Sequence, residues 1–61
     1  MKTLVKLYDE EVNLLKAGQV VYDRNGIRVV VDDVFCDDEL GLVVQDENGN
    51  HYFADDLYWL I

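Results

Sequence analysis

The sequence predicts a mainly β chain, a five-stranded small barrel preceded by a short strand and helix. Three observations lead there. A fourteen-residue pattern occurs twice, at 20–33 and again 23 positions later at 43–56, with half of the aligned positions identical. Each copy reads as strand, Asp-x-Asn-Gly turn, strand and a pair of aspartates, followed by an apolar residue and an aromatic (Val34-Phe35, Leu57-Tyr58). Finally, Val29-Val30-Val31 is too apolar for a strand with one wet face, which implies contacts on both sides, as in a barrel or a coiled sheet.

The elements follow in order. Thr3 to Tyr8 alternates well enough for a short strand, although both of its faces hold apolar residues. Asp9 is placed to cap a helix over 10–17, with Glu10 and Glu11 at its positive end, Lys16 in its last turn and Gly18 as its terminator. Gln19 to Asp23 is the first barrel strand and Ile27 to about Phe35 a long second one. Asp37-Asp38-Glu39 forms a charged loop before a third strand from Leu40 to Gln45, and Asn50 to Phe53 is the fourth. Ala54 to Leu57 reads as one tight turn, leaving Tyr58-Trp59-Leu60-Ile61 as a terminal fifth strand.

A hairpin with a three-residue loop favours Asp at the turn entry, Asn near the bend and Gly where φ is positive. Two unrelated hairpins therefore converge readily on Asp-x-Asn-Gly, and duplication is not required. A two-residue Asn-Gly turn would shift every cross-strand pair and exchange the faces. The three-residue loop is preferred because it gives Asp23 and Asp46 a role at the turn entry.

With 61 residues the chain is read as one domain, an arm over 1–18 carrying the helix and a barrel over 19–61. A chain of this size buries only about 60% of its unfolded surface, so its core is small. Cys36 stands alone, which excludes an internal disulfide and favours a reduced, cytoplasmic setting. The first residues hold no sustained apolar stretch, so neither a signal peptide nor a membrane span is expected. No proline or serine marks a linker. Five short strands in so few residues predict a closed or nearly closed barrel, which removes exposed edges.

Here the order of features resembles the SH3-like small barrels. Leu15-Lys16-Ala17-Gly18-Gln19-Val20-Val21 is similar to their Leu-x-x-Gly-Asp-x-Val entry into the first barrel strand, and Gly49 through Tyr58 to their last hairpin, 3₁₀ turn and final strand. Leu7-Tyr8-Asp9 echoes the aromatic start of the eukaryotic signalling branch, but its tandem tryptophans and its proline have no counterpart. Recognition of proline-rich peptides, which needs several such aromatics side by side, is therefore not carried over. The compact, acidic, single-cysteine character looks more like the small SH3-like proteins of bacteriophages and prophages.

Charge is uneven. Residues 1–16 are neutral in sum, and the whole net charge of −8 lies in residues 17–61. Direct binding to nucleic acid or an anionic membrane needs a basic surface and is not expected; a protein partner, with a basic surface where charge matters, is. The acidic clusters Asp32-Asp33, Asp37-Asp38-Glu39 and Asp55-Asp56 are candidate partner-binding residues. Carboxylates at alternate strand positions lie about 6.5–7 Å apart, comparable with successive phosphates, so a nucleic-acid mimic that inhibits a DNA- or RNA-binding protein is the alternative function. Net charge of this sign also serves solubility alone.

Tyr58 and Trp59 are the aromatic candidates, either closing the core or anchoring a partner or a second copy in a homodimer. Catalysis is weakly supported. Cys36 and His51 supply a nucleophile and a base, but nothing supplies an orienting third group, and His51 is better placed to pair across to Gln45. Asp46-x-Asn48-x-Asn50 begins like a calcium loop, yet Leu57 stands where a bidentate Glu is required. No cofactor or metal is expected. The function predicted is a non-enzymatic protein-interaction or regulatory module.

Overall fold

The computed structural model describes residues 2–61. The chain runs through β1 (Leu4–Lys6), α1 (Asp9–Asn13), β2 (Val20–Tyr22), β3 (Arg28–Asp37), β4 (Gly41–Asp46), β5 (His51–Phe53), the 3₁₀ turn η1 (Ala54–Asp56) and β6 (Tyr58–Leu60). The strands form one sheet in the order β1-β6-β2-β3-β4-β5, with every pairing antiparallel. The sheet curls into a half-barrel compatible in topology with an SH3-like barrel.

Both repeats form the three-residue loop. Gly26 and Gly49 adopt φ of 78° and 84°, a region that an L side chain rarely visits. The Asp23 N–H donates to the Ile27 carbonyl at 3.0 Å, and the Asp46 N–H to the Asn50 carbonyl at 2.9 Å, which makes these the closing pairs. Each aspartate folds its carboxylate over the loop: Asp23 Oδ1 accepts the N–H of Asn25 and Ile27, Asp46 Oδ1 those of Asn48 and Asn50. The charged loop after β3 uses the same device, with Asp37 Oδ1 accepting the N–H of Glu39 and Leu40, and Gly41 at φ 79°.

β3 is long because it serves two partners. Its start pairs with β2, and from Val31 onward it pairs with β4. The register shifts between Val31 and Asp33, leaving Asp32 as an extra residue, a bulge of the kind that bends a strand and raises its twist. Val29 and Val31 enter the core, while Val30 is half-buried on the other side opposite Val20. The valine run therefore reports a bent central strand.

Two expectations are corrected. The helix is not 10–17 capped by Asp9: it spans Asp9–Asn13, with Tyr8 at the cap position and the Tyr8 N–H donating to Glu11 Oε1 at 3.0 Å. So short a helix has little stability of its own and persists because Val12 is fully buried. Lys16 lies beyond it, in a turn closed by the Gln19 N–H on the Lys16 carbonyl, and Gly18, at φ 92°, donates to the Val31 carbonyl. The sheet, moreover, curls only into a half-barrel, since β1 and β5 are its outer strands, each paired on one side only. α1 packs against β3, β4 and η1, its Val12 joining Leu7, Leu15, Val21, Val44 and Leu57 in the core.

Candidate interaction surface

Register determines what the outer face of the sheet presents. Val44 points into the core, so its neighbour Val43 points away from it. Val43 is nevertheless only 2% exposed, because Phe35 on β3 and Phe53 on β5 lie directly opposite it and cover it. The next row is Asp33–Gln45–His51, in which His51 Nε2 lies 3.2 Å from Gln45 Oε1, the cross-strand pairing expected from sequence. The His51 ring also meets Phe35 edge-on, with centroids 5.5 Å apart. Phe53 remains 48% exposed.

An open groove of about 550 Å³ lies where the start of α1 meets η1, lined by Lys6, Leu7, Tyr8, Asp9, Glu10, Glu11 and Asp55. A smaller depression of about 150 Å³ adjoins it at Asp9 and Asp55 and runs to Leu40 and Phe53. The two depressions, which share Asp9 and Asp55, make up the acidic channel; exposed Tyr8, at 77%, lines the first and exposed Leu40 and Phe53 line the second. Its one cation, Lys6, lies 3.7 Å from Asp55. Glu11 is occupied differently. The Tyr8 N–H, then the Trp59 indole N–H at 2.9 Å, hold its carboxyl below the ordinary value and fasten the helix to β6.

The structure scatters the acids singled out from sequence. Asp32 is the bulge residue, 3.5 Å from the Gln45 side-chain amide, and Asp33 accepts the Val34 N–H. Asp37 closes its turn, and the N–H groups of Leu40 and Glu39 hold its carboxyl below the ordinary value. Asp38 and Glu39 are exposed on that turn. Asp56 pairs with Arg24, and only Asp55 reaches the channel. Trp59 packs against the core edge and is tied to Glu11, while Tyr58 is half-buried opposite Tyr22 and Lys6. Cys36 and His51 are not brought together: Cys36 is opposite Leu42 and His51 opposite Gln45, with β4 between their strands.

Sequence reasoning missed Phe35, Phe53, Tyr8 and Leu40 as surface residues. A signal for Phe53 was present, since a loop closed by Asp46 and Asn50 places Val43 opposite Phe53 by counting along both strands. Among the described residues no three His, Cys, Asp or Glu side chains gather as a metal site would require. Comparison with protein-family models, curated proteins and solved structures finds no match to this chain.

Proposed function

We propose that the chain is a non-enzymatic, cytoplasmic protein-interaction or regulatory module whose partner presents a basic surface. The observation that carries this reading is the channel in which exposed Tyr8, Leu40 and Phe53 stand beside Asp9, Glu10 and Asp55. Binding surfaces combine aromatic anchors, which supply most of the affinity, with charges that steer the encounter. The likeness to small phage and prophage proteins belongs to the same proposal and rests on size, acidity and the single cysteine.

The test is affinity capture at low and high salt, using the wild-type chain, Phe53→Ser, the double variant Asp9→Asn with Asp55→Asn, and Asp38→Asn with Glu39→Gln. Loss of the captured protein in the first two variants, with melting retained, supports the reading. Capture of a DNA- or RNA-binding protein that is lost only when Asp38 and Glu39 are neutralised assigns mimicry instead. Thiol-sensitive turnover by the free chain would overturn both.

A further inference from the structure

The half-barrel leaves two sheet edges, and they are built differently. At β1, Thr3 and Ile61 exchange main-chain hydrogen bonds of 2.7 and 2.9 Å and the Leu7 N–H donates to the Leu57 carbonyl. Antiparallel alternation then turns the main-chain groups of Leu4 and Lys6 outward. Lys6 guards that edge, as lysines commonly do. At β5 the closing pair Asp46–Asn50 makes Val44–Tyr52 the next bonded pair, so the outward groups are the N–H and C=O of His51 and the N–H of Phe53, whose own carbonyl, at the N-cap of η1, accepts the first hydrogen bond of that turn. This strand carries no lysine, proline or bulge. The strand ends at Phe53, and the chain then turns into η1, whose Ala54 and Asp55 line the acidic channel together with Phe53.

We infer that β5 accepts an extended peptide bearing lysine or arginine as a seventh strand of the sheet, with its basic side chains over Asp9 and Asp55 and an apolar one against Phe53. Main-chain hydrogen bonds to His51 and Phe53 give the affinity, and the alternation of the added strand sends every second side chain to the Phe35–Val43–Phe53 face. Charge selects the occupant. A second copy would bring another net charge of −8 to the same acids, whereas a basic strand neutralises them. This inference rests on the interaction-module reading and adds to it a binding mode and a chemical class of partner.

The test is an NMR titration of the intact chain with an alternating Lys-Val heptapeptide and with the same peptide N-methylated on alternate amides, which keeps the charge and removes the ladder donors. Expected are saturable shifts at the amides of His51 and Phe53, slower exchange of those amides, and binding weaker by about tenfold after N-methylation of the edge-facing set. Phe53→Lys, which places a guarding lysine on the edge, is expected to weaken binding similarly with melting retained. Equal binding of the two peptides overturns strand addition while leaving the acidic channel as an interaction site. Absence of binding by either peptide overturns the inference, and the capture experiment then decides the module reading independently. Concentration-dependent self-association that broadens the same amides overturns it in favour of a second copy.

Discussion

The turns at Asp23–Ile27 and Asp46–Asn50 share one main-chain geometry and stand in different surroundings. In the first, the Asp23 carboxylate accepts two N–H groups of its own loop and is half-exposed. In the second, Asp46 is 5% exposed and accepts two further donors, the Asn50 side-chain amide at 3.1 Å and the Tyr52 hydroxyl at 3.2 Å. The difference originates outside the hairpin. Val31 pairs with Asp46 immediately before the bulge in β3, and the Glu47 N–H donates to the Val30 carbonyl, so the second turn is pressed against the bend of the central strand. The position between Asp and Asn also differs: Arg24 ties the first loop to η1 through Asp56, while Glu47 ties the second through its main chain. One local motif is thus a freestanding turn in one place and a turn wrapped around a buried carboxylate in the other.

Removing the two aspartates should separate these roles most strongly. Asp46→Ala removes a buried carboxylate that accepts four hydrogen bonds and leaves the half-buried Tyr52 hydroxyl without that partner, and is expected to lower Tm by about 10 °C, against about 3–5 °C for Asp23→Ala. The acid limb of the stability curve should differ too. Burial alone pushes the Asp46 carboxyl up, but the hydrogen bonds from Asn50, Asn48 and Tyr52 outweigh it and hold the group below its ordinary value. A carboxyl depressed in the folded state contributes stability that is present above its unfolded value and lost as pH falls through the folded one. Wild-type chain should therefore lose stability below about pH 4 more steeply than Asp46→Ala, measured by thermal melts across that range. Equal Tm losses for the two alanine variants would show that burial adds nothing to the turn.

The glycines test what the hairpins share. At both Gly26 and Gly49 an added Cβ would meet no atom within 4 Å, so only the positive φ opposes it. Gly26→Ala and Gly49→Ala should each destabilise by about 1 kcal/mol, and by equal amounts, in chemical denaturation. A marked inequality would mean that the loops differ in backbone as well as in surroundings.

Tyr52→Phe sharpens the comparison from the other side. It removes one donor from Asp46 and leaves the ring, and is expected to lower stability by about 0.5–1 kcal/mol. Burial, then the hydrogen bond and charge of Asp46, raise the Tyr52 phenol above its ordinary value. Stability from a raised group is present below its unfolded value and lost as pH rises through the folded one, so the wild type alone should show this added loss above about pH 10.

The smallest effects belong to the charged loop positions. Arg24→Ala breaks an exposed ion pair and should lower Tm by about 2 °C or less. Glu47→Ala removes one negative charge from a chain of net charge −8 and should raise Tm slightly, an effect that added salt erases.

Legibility from sequence followed the range of the interactions. The hairpins at Gly26 and Gly49 and the tight turn at Ala54–Asp56 were legible, because hydrogen bonds within a few residues make them. The helix is shorter than the propensity of Leu14 to Ala17 suggests: Leu14 already caps it, and Leu15 enters the core from beyond its end. The charge of Asp37-Asp38-Glu39 hides the tight turn there. Its pair Asp37–Gly41 sets Phe35 opposite Val43 by counting along the strands, which completes the aromatic row. The acids at 32, 33, 37, 38, 39, 55 and 56 were legible as charge but not as a site, because composition does not say which carboxylates a turn or an ion pair has already engaged.

By itself the sequence determined the turn chemistry, the strand count and the one-sided charge, all of which are local or additive properties of the chain. Tertiary structure alone decided that Asp32 would bulge, that Asp46 would be buried and Asp23 not, and that β5 would end as an unguarded edge beside an acidic channel. Those outcomes depend on where β3 bends and on which strands remain unpaired when the sheet stops curling. They arise from contacts between residues far apart in sequence, which no short window of it contains.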